Sequence, residues 1–151
     1  MGMAMYKKAL AALASCGVFQ IGMGIYFIAL RPTMLAEDEK FTGLTLEALR
    51  RISASMPLWL DRVFIVLGGH AIAAGLLIVL ATILLWNRTL SITAVILITA
   101  AGGTSVLLMS AINFAIHSDF RWLLFLPALV WTGAVLLLAK DWSNERGVQI
   151  T

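Results

Sequence analysis

The chain has 151 residues, 61% of them hydrophobic and 13% charged, with a formal net charge of +3 at pH 7 and a mean hydropathy of +0.95. Soluble domains carry roughly 25% charged and 45–50% apolar residues, so the composition excludes an ordinary water-soluble core and makes lipid the matching solvent. The basic balance does not point to nucleic acid, because Lys and Arg are scattered at the ends of apolar runs, where they anchor at lipid headgroups.

Lys7 and Lys8 open an apolar run, and Leu13-Ala14-Ser15-Cys16 has the look of a lipoprotein cleavage box. The stretch before Cys16 is only about half an ordinary signal core, and the chain stays apolar to Leu30. The reading is therefore a retained first transmembrane helix over 9–30, long enough for a hydrocarbon core of about 30 Å. Arg31 and Pro32 end it. An external loop follows over 31–61, where Thr45 as N-cap, Glu47 in the first turn, and Leu46, Leu49 and Ile52 on one side predict a short amphipathic helix at about 45–55, broken before Pro57 and lying on the membrane surface or capping the bundle.

The second span is predicted over 62–86 with Asp61 as its N-cap, and the third over 90–116. Only Asn87, Arg88 and Thr89 separate them, which predicts a tight antiparallel helical hairpin; the sequon they form would be pressed against the membrane. The fourth span is predicted over 120–139, with Pro127 kinking or loosening it, and 140–151 as a short polar tail. The fold class is thus an all-α, up-down-up-down bundle of four transmembrane helices in a single integral membrane domain.

Four spans put both termini on one side. Lys7, Lys8, Arg88, Lys140 and Arg146 fall on that side; Arg31, Lys40, Arg50, Arg51, Arg62 and Arg121 fall on the other. The counts nearly balance, so Lys7 and Lys8 immediately before the first span, together with the acids of the long loop, decide the orientation: both termini cytoplasmic, in the plasma (inner) membrane. Trp59 and Trp122 mark the loop-side interface and Trp86 and Trp142 the terminal one, whereas Trp131 lies near mid-membrane.

With these boundaries no Asp, Glu, Lys or Arg falls mid-span. Proton-coupled transporters and ion pumps keep an intramembrane carboxylate or base for the coupling ion. A single cysteine, Cys16, excludes both an internal disulfide and a Cys-x-x-Cys redox pair, and two histidines on different helices make no metal site. No cofactor is implied. Polar residues nevertheless converge in depth: Gln20, His70, Ser110 and Asn113 lie about 6–15 Å below the loop-side interface at 1.5 Å per residue, and Ser110, Asn113 and His117 share one helical face. These five are the candidate ligand-binding residues, His70 foremost. Arg31, Asp61, Arg62, Asp119 and Arg121, with Glu37–Glu39, are the candidate rim. Hydrogen bonding between helices is the structural role such residues would otherwise play.

Gly68, Ala71 and Gly75 form a small-residue face for packing with other membrane subunits or for self-association; Gly17 and Gly24, and the Gly102-Gly103 pair, allow further close approach. The expected partners are membrane lipids and possible membrane subunits, not nucleic acid. The sequence supports a non-enzymatic accessory, scaffold or lipid-facing binding protein. The alternative is an enzyme or carrier for a small hydrophobic molecule at an outer-leaflet site around His70.

Overall fold

The structure is a computed structural model that describes residues 3–87 and 90–148, with side chains from residue 5 to residue 143 outside the 88–89 gap. Arg88 and Thr89, Met1, Thr151, and the side chains of Met3 and Arg146 lie outside the described residues.

Helix α1 (Met3–Ile25) continues through a π turn, Tyr26–Leu30; two short helices follow, α2 (Ala36–Thr42) and α3 (Leu46–Ile52), and then the long α4 (Met56–Leu85). The third span is built from α5 (Ile92–Gly102), a π turn at Gly103–Leu107, and α6 (Leu108–Ala115); α7 (Arg121–Val148) closes the fold. Four stretches are long and apolar enough to cross a membrane: Met5–Leu30, Met56–Leu85, Ile92–Ala115 and Arg121–Ser143.

Several boundaries differ from the sequence-based expectation. The second span starts at Met56 rather than after Asp61, because Pro57 sits in the first turn of α4, where its missing N–H is one the helix leaves unbonded anyway. Asp61 is therefore inside the helix and is not its cap. Thr45 does open α3, its hydroxyl accepting from the Ala48 N–H at 3.1 Å, but α2 precedes it as a separate helix ended by Gly43 in the left-handed conformation (φ 70°). The segment beyond residue 139, expected as a loose tail, continues α7 to Val148, and α7 runs unbroken through Pro127.

Packing sets the lateral order. Helix α1 packs against both α4 and α7, and α7 in turn carries α5 and α6. Helices α4 and α5, close in sequence and expected to form a tight hairpin, hardly touch. A groove of about 530 Å³ separates them, with Leu13 and Trp131 among its lining residues.

The α1–α4 contact explains the glycine faces. A Cβ at Gly75 would lie 2.5 Å from the Gly17 carbonyl oxygen, so the two backbones touch directly. Gly68 and Gly75, expected to allow close approach of helices within the bundle or toward partners, pack against α1 within the same chain. At the terminal end the Tyr6 hydroxyl donates to the Leu85 carbonyl at 2.9 Å.

The buried core is concentrated in the terminal half of the bundle, where Leu10, Leu13 and Cys16 of α1 meet Trp131, Ala134 and Leu138 of α7. Toward the loop end this packing gives way to a cavity.

Candidate functional site

The cavity at the loop end has a volume of about 450 Å³ and draws on every span. Met23, Tyr26 and Phe27 come from the first, Phe64 and Leu67 from the second, Met109, Ile112 and Asn113 from the third, and Leu123 and Leu124 from the fourth. Arg31, Leu35, Glu37 and Asp38 close it from above. The open depression of about 560 Å³ beside Ser53, Trp59 and Arg62 lacks this mixed lining, being formed by one loop and the start of one helix.

The roof is held by charge. The π turn at the end of the first span, closed by the Arg31 N–H on the Tyr26 carbonyl at 2.8 Å, delivers Arg31 to the mouth. Its guanidinium lies 3.5 Å from the centre of the Phe64 ring and 5.7 Å from that of Phe27. It pairs with the Asp38 carboxylate at 2.6 Å, and its side chain is only 6% exposed. The same Asp38 oxygen accepts the Leu35 N–H at 2.8 Å, capping α2. Arg31 thus stacks on an aromatic face and is neutralised by one acid, an arrangement suited to a planar guanidinium out of water.

Glu37 fastens α2 to the opposite side of the mouth. Its Oε2 accepts the Ser118 hydroxyl at 2.7 Å and the Asp119 N–H at 2.9 Å. Lys40 reaches the Asp119 carboxylate at 3.2 Å. Glu39 accepts the Leu46 N–H at 3.2 Å, linking α2 to α3. The turn that receives Glu37 is itself fixed: His117 adopts φ 55°, and Arg121 donates to the His117 and Ser118 carbonyls at 3.2 and 3.1 Å.

The residues singled out in the sequence fall into three groups. Asn113 and Arg31 line the cavity, and Asp119 and Arg121 hold its roof and turn. Gln20 and Ser110 are each 4% exposed on the inner side of the bundle and are not part of that lining; no hydrogen bond of either side chain is found among the described residues. The others stand apart. His70 is exposed on the outside of α4, its Nδ1 2.8 Å from the Val66 carbonyl of the same helix. The exposed His117 side chain, Asp61 and Arg62 do not line the cavity.

The aromatic residues Tyr26, Phe27 and Phe64 and the latch residue Ser118 were not singled out. Their signal was proximity to Arg31 and Glu37 at the same membrane depth. Among the described residues no group of three or more His, Cys, Asp or Glu is placed to hold a metal ion.

No protein family, curated protein or solved structure matches the chain. The helices themselves define its class: a small multi-pass membrane protein with an all-helical four-span bundle.

Proposed function

We propose that the chain is a non-enzymatic, lipid-facing binding protein that holds a small amphiphilic molecule in the loop-end cavity. The observation that carries this reading is the cavity's two-part lining, apolar from all four spans below and charged from α2 and Arg31 above. Its volume of about 450 Å³ falls within the usual small-molecule range of about 300–1,000 Å³. Apolar atoms of a ligand gain from leaving water or from packing, and its polar end stays at interface depth beside the charged roof. The exposed position of His70 lends no support to a site centred on that residue.

The test is native mass spectrometry of the chain purified in mild detergent, beside a Leu67→Trp variant that fills the cavity. The expected result is one small molecule per wild-type chain and none on the variant. A stoichiometric protein partner with no small molecule would overturn the reading in favour of an accessory subunit.

The orientation follows from charge: Lys7 and Lys8 precede the first span, and the acids gather in the long loop. Both termini then face the cytoplasm, with the roof outside the plasma (inner) membrane. A reporter fused after Thr151 should be active only in the cytoplasm; activity only on the far side reverses the assignment.

A further inference from the structure

We infer that the molecule held in the loop-end cavity is a cationic amphiphile, a single positively charged nitrogen on an apolar body; this rests on the proposed binding role. The argument is charge complementarity. The cavity is lined by one basic residue, Arg31, and two acidic ones, Glu37 and Asp38. The guanidinium is already committed: Asp38 neutralises it at 2.6 Å and Phe64 stacks on it at 3.5 Å. Glu37 has no such counter-charge. Its Oε2 holds only neutral donors, the Ser118 hydroxyl and the Asp119 N–H, and no ion pair is found for it among the described residues.

The neighbouring charges do not change the balance. Lys40 is paired with Asp119, and Arg121 and Glu39, each hydrogen-bonded to neutral groups only, offset one another in net charge. The mouth therefore carries one carboxylate more than it has cations. A carboxylate at the edge of a low-dielectric cavity gains from a cation placed beside it. The lining agrees with the same guest, because Tyr26 adds an aromatic ring beside the Phe27 and Phe64 rings that Arg31 already faces, and ring faces attract cationic nitrogen. An anionic headgroup meets the opposite situation, since the one guanidinium able to receive it is occupied by Asp38.

The experiment compares three probes of equal chain length, octyltrimethylammonium, octanol and octanoate, in equilibrium binding to the full chain in phosphatidylcholine nanodiscs, with empty nanodiscs subtracted. The expected order is octyltrimethylammonium tighter than octanol by about tenfold, with octanoate weakest. Glu37→Gln keeps an acceptor for Ser118 and should bring the ammonium probe to the octanol level without altering octanol. Asp38→Asn frees the Arg31 charge and should move the preference toward octanoate. Equal binding of all three probes, or a preference unchanged in both variants, overturns the cationic assignment. If Leu67→Trp still abolishes all binding in that case, the cavity reading survives; if Leu67→Trp leaves every probe bound as before, the cavity reading fails as well.

Discussion

The backbones of Gly24 and Gly68 touch: a Cβ at Gly68 would lie 2.7 Å from the Gly24 carbonyl oxygen, and a Cβ at Gly24 would lie 2.5 Å from that of Gly68. Lipid tails are as apolar as the side chains they contact, so helices in a membrane gain little by hiding apolar surface and rely on close packing. The α1–α4 contact is therefore sensitive to one methyl group. Gly68→Ala should destabilise the bundle by about 1–3 kcal/mol, the usual penalty of overpacking. Gly69→Ala, next in sequence and with nothing within 4 Å of its Cβ position, should be neutral or stabilise by up to about 1 kcal/mol. Thermal unfolding of the two variants in one detergent checks the difference.

A second glycine pair discriminates in the same way. A Cβ at Gly102 would fall 1.8 Å from the Nε1 position of Trp131, whereas one at Gly103 would meet nothing within 4 Å. Trp131 is 2% exposed and its Nε1 has no hydrogen-bond partner among the described residues. Gly102→Ala should cost at least about 1–3 kcal/mol and change the near-ultraviolet signal of the indole; Gly103→Ala should do neither. Combining Gly102→Ala with Trp131→Leu should cost less than the sum of the two single changes, because the clash disappears with the ring.

The roof tests the difference between sheltered and exposed ion pairs. The side chains of Arg31 and Asp38 are 6% and 28% exposed, whereas those of Lys40 and Asp119 are 70% and 66% exposed. Removing one partner of a fully buried pair costs about 3–5 kcal/mol. Partial exposure of Asp38 lowers the expectation for Arg31→Met to about 2 kcal/mol. Arg31→Lys should restore only part of it, since an ammonium does not stack on Phe64 as a planar guanidinium does. Lys40→Ala should stay within about 0.5 kcal/mol. Limited proteolysis within α2 reads these effects locally: cleavage should accelerate in the Arg31 variants and not in Lys40→Ala.

Asn113 and His70, both expected in the loop-side half of the bundle, should separate in function. Asn113 lines the cavity, with its amide donating to the Met109 carbonyl at 2.9 Å, while His70 faces away from it. Asn113→Leu should weaken retention of the bound molecule about tenfold, and His70→Ala should leave it unchanged. Native mass spectrometry at matched detergent concentration gives both numbers.

The four spans were legible because an apolar run of membrane length is hard to bury anywhere but in lipid, and the glycine faces because small residues recur at helical spacing. Rotation about each helix was harder to read than depth. His70 stands two residues beyond Gly68, about 200° around the helix, so once Gly68 is turned toward α1 the imidazole must point away; sorting polar residues by depth alone missed this. Arg31 was expected at the interface as a rim residue; its seat on Phe64, delivered by the π turn at Tyr26–Leu30, could not be read from spacing. Pairing of the spans was hidden for another reason. A short connection makes α4 and α5 neighbours along the chain, yet small-residue contact sends α4 to α1, and the seat of Trp131 on Gly102 sends α5 to α7.

That arrangement has a consequence for biosynthesis. Helix α5 leans on α7 and hardly on the span that precedes it, so when it enters the bilayer its docking site has not yet left the ribosome. It must wait in lipid until the last helix threads in beside the first and supplies the surface it binds. A chain terminated before Arg121 would leave it stranded, a ready substrate for membrane quality control, even though most of the protein had been made.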